Sequence, residues 1–213
     1  MNDFLHNLRT QAWRTHSARN AAARRLKRRE LFSTVSMAFF SAISVAIAFL
    51  QRIYVTGGSA EDNFVTGLSG VLGIFLLTIS LMEWGAANGA KAEALYRNAE
   101  ELNAFQRAVA LKLAQLTSGV TVSWIEVTDL QREYEAVKGR CSVNHDPIDD
   151  RYFVATKRKA PEFLMASGTP AMSGTAAFRA SIIWHLSSVW YFAIFWLVIV
   201  AALARVWVMH ATG

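Results

Sequence analysis

The stretch STVSMAFFSAISVAIAFLQ, Ser33–Gln51, contains no charged residue. A helix needs about 20 apolar residues to cross a hydrocarbon core of ~30 Å, so this stretch predicts a transmembrane helix over residues 33–52. A second apolar segment follows at residues 64–83, and the short polar segment between the two contains a Gly-Gly pair, which is typical of a turn. Residues 33–85 are therefore predicted to form a transmembrane hairpin.

A third apolar segment, residues 180–205, predicts a C-terminal transmembrane helix. Hydrophobic residues make up 53% of the 213-residue chain and charged residues 18%, against roughly 25% charged in an average soluble domain. The chain is thus predicted to be an all-α integral membrane protein with a basic N-terminal helix, a transmembrane hairpin, a cytoplasmic helical hairpin and a C-terminal transmembrane helix. The predicted segments are 1–32, 33–85, 86–160, 161–179 (a linker) and 180–205.

The N-terminal arm, residues 1–32, carries the positive charge of the protein. Its first 30 residues hold eight Lys and Arg against two acidic residues, and the net charge of the whole chain is +6. The positive-inside rule places this arm and residues 86–179 in the cytoplasm. Because the arm leads directly into a span, we expect it to meet membrane lipids, and no nucleic acid is expected as a partner.

The cytoplasmic middle predicts two helices. Apolar residues at seven-residue spacing form a narrow seam in the first helix, which suits a coiled-coil-like contact and predicts a homo-oligomer. A second helix is expected over 123–138, where Ser123 and Glu126 have the spacing of a capping box. The seam consists of Leu95, Leu102, Val109 and Leu116.

The sequence NHDPIDDRYF, residues 144–153, gathers acidic residues and a histidine. The favoured interpretation is a helix start, with Asp146 as N-cap and Pro147 in the first helical position. Contact with a partner or ligand through Asn144, His145 and Asp149 is the alternative. A metal or catalytic site is the weakest interpretation, because Cys141 and His145 lack a second ligand pair. No catalytic residue, metal or cofactor is therefore predicted.

Small and polar residues recur at helical spacing in the spans. Two interpretations stay open: they let helices pack closely, or they line a water-filled path in an oligomer. The candidates for lining a pore are Ser33, Ser41, Ser44 and Gln51. The candidates for close packing are Gly70 and Gly73.

The segments AANGAKAEALYRNAEELNAFQRAV (residues 86–109), DLQREYEAVKG (129–139) and NHDPIDDRYF, which follow a basic helix and a transmembrane hairpin, carry a family resemblance. Over Arg9–Phe153 the chain resembles the SLATT domain family. That resemblance implies two transmembrane helices with a cytoplasmic helical region, and membrane effectors of prokaryotic conflict systems. The segment 180–205 lies outside that two-helix pattern.

The resemblance implies a pore-forming or membrane-perturbing effector of an anti-phage, abortive infection system rather than an enzyme. We expect it in the inner membrane as a multi-pass oligomer, triggered by a separate sensor or nucleotide-signalling protein. The alternative is a non-conducting, membrane-anchored scaffold for a partner enzyme such as a reverse transcriptase or a nucleotidyltransferase.

Overall fold

Seven α-helices and one short 3₁₀ helix make up the computed structural model, which describes residues 1–212 and contains no β-strand within them. This confirms the all-α class. The helices are α1 (Asn2–Tyr54), α2 (Ala60–Ala86), α3 (Asn88–Thr117), α4 (Trp124–Gly139), α5 (Pro147–Thr156), the 3₁₀ helix (Pro161–Phe163), α6 (Gly174–Leu186) and α7 (Trp190–Thr212).

The chain divides into two compact units. Unit 1 contains residues 1–27 and 89–188, and unit 2 contains residues 28–88 together with the segment from Val189 onward. Helix α1 contributes to both, because residues 2–54 contain neither glycine nor proline to end it. The predicted basic helix and the predicted first span are therefore parts of one continuous helix.

The core of unit 1 is formed by three helices rather than by the predicted two-helix hairpin. The N-terminal arm supplies Leu5, Leu8 and Ala12 to the same buried cluster as α3 and α4. The predicted capping box of α4 is present: Ser123 Oγ accepts a hydrogen bond from the backbone N–H of Glu126, whose carboxylate accepts one from the N–H of Ser123. From α3 and α4 the cluster takes Leu102, Phe105, Val109, Leu113, Val127, Leu130, Tyr134 and Val137.

Unit 2 consists of the second part of α1 with α2 and α7. Its interior is aromatic: the ring centroids of Phe40 and Trp196 lie 4.6 Å apart, and those of Phe75 and Phe195 lie 3.9 Å apart. The helices that contain the first two predicted spans are long and apolar enough to cross a membrane. In each of them only 17% of the apolar 18-residue stretch is buried. The apolar side chains left exposed on these helices suit a lipid environment.

The third predicted span is divided. Instead of one continuous helix over 180–205, α6 ends at Leu186 and α7 begins at Trp190, so a third crossing requires both helices as one bent span. The Ser187 hydroxyl donates a hydrogen bond to the Trp184 carbonyl at 2.8 Å. Serine hydroxyls that bond backbone carbonyls in this way compete with helix continuation.

Candidate functional site

Asp149 lies at the centre of a buried hydrogen-bond cluster in unit 1. It occupies the first turn of α5, after Asp146 as N-cap and Pro147 in the first helical position, as the sequence predicts. Its side chain is fully buried. A buried carboxylate is tolerated only when its charge and lone pairs are satisfied, so the neighbours of Asp149 determine what this position can do.

The partners of Asp149 come from three parts of unit 1. Arg25 of α1 donates two hydrogen bonds, from Nε to Oδ1 at 2.9 Å and from Nη2 to Oδ2 at 3.0 Å. The indole N–H of Trp184 donates to Oδ1 at 2.9 Å, and the backbone N–H of Asp146 donates to Oδ2 at 3.1 Å. We call these four residues the Asp149 cluster; it joins α1, α5 and α6.

The charge of Arg25 is well compensated. The Nη2 atom of Arg25 also donates to Asp146 Oδ2 at 2.5 Å. Burial disfavours the charged guanidinium, but hydrogen bonds and charge from Asp149 and Asp146 outweigh it and raise the pKa of Arg25 above its ordinary value. The same helix gives Arg14, which binds Asp150 with two hydrogen bonds of 2.6 Å each.

Arg19 caps the C-terminal end of α4. It is 4% exposed and donates to Asn98 Oδ1 and, at 3.2 Å from each terminal nitrogen, to the carbonyl of Lys138. Asn98 in turn donates to the carbonyl of Val137 at 2.7 Å. The bonds to Lys138 satisfy a carbonyl of the last turn of α4, which a helix end leaves without an intrahelical partner, and the Val137 carbonyl also accepts from the backbone N–H of Arg140. Burial lowers the pKa of Arg19.

The arm is therefore also a structural part of unit 1. Its arginines at positions 9, 14, 19 and 25 all contact groups of unit 1, including Glu162 at 3.3 Å from Arg9. The sequence interpretation missed these contacts because it weighed the arm by its charge alone.

A second carboxylate with several hydrogen-bond partners, Glu83, lies in unit 2, and its side chain is 9% exposed. Arg29 of α1 donates to its Oε1 from Nε at 3.2 Å and from Nη2 at 2.9 Å. The Tyr191 hydroxyl of α7 donates to the same oxygen at 2.6 Å, and the side-chain amide of Asn88 donates to Oε2 at 2.9 Å. We call these four residues the Glu83 cluster; it joins α1, α2, α7 and the first residue of α3 at the end of the second predicted span.

The predicted contact residues near residue 145 have different environments. Asn144 is exposed and accepts a hydrogen bond from the backbone N–H of His145. His145 is half-buried, its Nδ1 is buried without a partner, and burial lowers its pKa. Asp149 is enclosed, so of the three predicted contact residues a partner could reach Asn144 and His145. Among the described residues no group of His, Cys, Asp and Glu has the arrangement to hold a metal ion.

The predicted pore-lining residues do not share one environment in the single chain. Ser33 is buried with an unpartnered hydroxyl, Ser41 is exposed and Ser44 is half-buried. Gln51 donates to Asp62 Oδ1 at 2.6 Å and to Thr66 Oγ1 at 2.8 Å, so it ties the ends of the hairpin together.

The predicted packing residues fall into two groups. Gly70 and Gly73 of α2 are exposed, and a Cβ added to either would meet no atom within 4 Å. The seam of α3 is instead covered inside the chain: Leu95, Leu102 and Val109 are fully buried. Leu116 packs against the core that contains Leu102 and Val109, and Leu95 lies in a separate cluster with residues of α1. An oligomer cannot use these buried side chains without opening unit 1.

Comparison with known proteins adds one finding. The family model of the SMODS and SLOG-associating 2TM effector domain family 5 matches residues 1–208. The match extends beyond Arg9–Phe153 and includes the C-terminal helices, so these helices belong to the family pattern rather than lying outside it. No curated protein and no solved structure matches the chain.

Proposed function

Because the chain belongs to the SMODS and SLOG-associating 2TM effector domain family 5, a family of membrane effectors in conflict systems, we propose that it is an oligomeric pore-forming effector. In this proposal its activation in an infected cell collapses the membrane potential and stops growth. It lies in the inner membrane with the N-terminus in the cytoplasm, and no catalytic step is assigned to it.

The Glu83 cluster is the observation that carries the proposal. Ionisable groups in or next to membrane spans are costly, and their usual explanation is a functional one. Here one carboxylate is bonded to groups of three helices in unit 2. Such a cluster can hold the helices in a closed arrangement, and loss of its bonds would allow them to separate.

The exposed surfaces support assembly and triggering. Gly70 and Gly73 leave open space on α2, where a second helix can approach closely. At the turn between α3 and α4, Val120, Trp124 and Ile125 are between 53% and 75% exposed. Exposed apolar side chains in a row are typical of protein contact sites, so this turn offers a surface for a separate sensor or nucleotide-signalling partner.

The same turn also favours a second candidate function. A non-conducting scaffold would use Trp124 and Ile125 to hold a partner enzyme, such as a reverse transcriptase or a nucleotidyltransferase, at the membrane. The two candidates differ in what unit 2 must do: a pore needs the hydroxyl groups of its spans, whereas a scaffold needs only their length.

Membrane potential, followed with a voltage-sensitive dye in bacteria that produce the full chain together with the rest of its system, tests the proposal. We expect depolarisation before growth stops, and Ser41→Leu combined with Ser44→Leu should reduce it at unchanged protein level. Val45→Leu combined with Phe49→Leu is the matched control, because both side chains are exposed apolar groups of the same helix. A steady potential during growth arrest, or equal effects of the two double variants, would contradict a pore and favour the scaffold.

A further inference from the structure

A cavity of about 760 Å³ lies in unit 1 between α5 and the first half of α6. Its size falls within the roughly 300–1,000 Å³ that is usual for small-ligand pockets. Apolar side chains form part of its wall, namely those of Ile148, Met172 and Ile183. None of the residues of the Asp149 cluster lines the cavity, so it is distinct from the site described above.

Two arginines line the same cavity from the two helices. Arg151 belongs to α5 and Arg179 to α6, and both are exposed. Within residues 1–212 neither has a hydrogen-bond or ion-pair partner, unlike Arg14 and Arg25, which are bonded to aspartates. No Asp or Glu is among the described residues that line the cavity. The described residues therefore place no carboxylate in the wall of the cavity to offset its positive charge.

A third arginine approaches the start of α6. The Nη2 of Arg158 lies 3.7 Å from the position that a Cβ on Gly174 would occupy, at the first residue of the helix. Thr175 and Ala176, in the first turn of the same helix, line the cavity. The N-terminus of a helix carries a partial positive charge, which adds to the field of the arginines.

We infer that this cavity binds a ligand with a phosphate group attached to an apolar portion. Arg151 and Arg179 bind the phosphate, for which the planar guanidinium fork is well suited, and Ile148 and Ile183 contact the apolar portion. The headgroup region of an anionic phospholipid and a soluble organic phosphate share this chemistry. The inference does not depend on the formation of a pore.

The two sources can be separated with two probes on the purified full chain. The first probe is phosphatidylglycerol, titrated into phosphatidylcholine nanodiscs that hold the protein. Native mass spectrometry counts the phosphatidylglycerol molecules that stay bound to the chain. Phenyl phosphate is titrated by calorimetry. One of the two probes is expected to bind the wild-type chain. Arg151→Gln combined with Arg179→Gln should weaken its binding by about tenfold or more, because charge-assisted bonds to phosphate are lost. Ala176→Trp should have a similar effect by filling the cavity with all charges kept.

The matched control is Arg97→Gln combined with Arg132→Gln, which removes the same charge from exposed positions elsewhere in unit 1. It should keep binding within about twofold. If the two cavity variants lose binding of phosphatidylglycerol and not of phenyl phosphate, the cavity is assigned to lipid. If they lose binding of phenyl phosphate and not of phosphatidylglycerol, it is assigned to a soluble phosphate. The inference is overturned if neither probe binds the wild-type chain, if the control loses as much as the arginine variant, or if Ala176→Trp leaves binding unchanged. All these readouts are independent of membrane depolarisation.

Discussion

The carboxylates of Asp149 and Glu83 have similar partners in different surroundings. Asp149 and Glu83 each accept two hydrogen bonds from an arginine of α1 and one from an aromatic side chain of the C-terminal helices. The arginines, Arg25 and Arg29, are four residues apart, which is one helical turn. The aromatic donors are Trp184 for Asp149 and Tyr191 for Glu83.

The surroundings differ in what they add. Asp149 is fully enclosed in unit 1, which has its own three-helix core and several further ion pairs. The Glu83 side chain is 9% exposed, and the helices of unit 2 leave most of their apolar surface uncovered. The same chemistry therefore has two consequences: we expect Asp149 to fix the fold of unit 1, and Glu83 to control how the helices of unit 2 are held together.

Asp149→Asn should give the largest loss of stability. The substitution keeps the shape of the side chain but leaves the charge of Arg25 buried with less compensation. Removal of one partner from a buried ion pair costs about 3–5 kcal/mol. Thermal unfolding of the purified chain in detergent, followed by circular dichroism, should show a clear drop in Tm.

Asp129→Asn is the control for this change, because Asp129 is 60% exposed and pairs with Arg132 on the same helix. Exposed pairs contribute little, so its Tm should stay close to that of the wild type. Equal Tm values for the two variants would show that the Asp149 cluster does not hold unit 1 together.

Glu83→Gln should have a smaller effect on unfolding and a larger one on the membrane. The amide still accepts a bond from Arg29 or Tyr191, and loss of charge in such a bond costs about 1.5–3 kcal/mol. If the Glu83 cluster holds unit 2 closed, producing this variant should depolarise cells at a lower protein level than the wild type. A dye assay on membrane potential at matched protein levels measures this difference.

Depolarisation by Asp149→Asn but not by Glu83→Gln would reverse the roles assigned to the two clusters. Glu93→Gln is the control for charge loss, because Glu93 is exposed and pairs with Arg97 one turn away on the same helix. It should change neither the Tm nor the membrane potential.

Local patterns carried most of what the sequence predicts correctly. The first two spans follow from uninterrupted apolar length, and the starts of α4 and α5 follow from short capping patterns at Ser123 and Asp146. These features depend on residues a few positions apart. The bond between Arg25 and Asp149 joins residues 124 positions apart, and no periodicity within one segment indicates it.

The apolar seam of α3 also predicts less than the structure shows, because it does not indicate which helix covers it. Its seven-residue spacing predicts a partner helix, and a partner is present, but it comes from the same chain: Leu5, Leu8 and Ala12 cover part of it. The arm contains these apolar residues at helical spacing, while its arginines dominate its composition. Weighing both faces of the arm would have indicated a third helix in the core of unit 1.

His145 provides the smallest of the three effects and tests the Asp149 cluster through pH. Burial lowers its pKa from the ordinary value of 6.5, and Arg19 adds to this, while Asp146, Asp149 and Asp150 oppose it. Because the folded pKa lies below the unfolded one, the fold favours neutral imidazole. This stabilisation is present above pH 6.5 and is lost as pH falls through the folded pKa.

Between pH 7 and pH 5 the Tm of the wild-type chain should therefore fall more steeply than that of His145→Gln, which cannot take up the proton. His6→Gln is the control, because His6 is exposed and should leave the slope unchanged. If the Tm of the wild type and of His145→Gln change equally with pH, protonation of His145 does not affect the stability of unit 1.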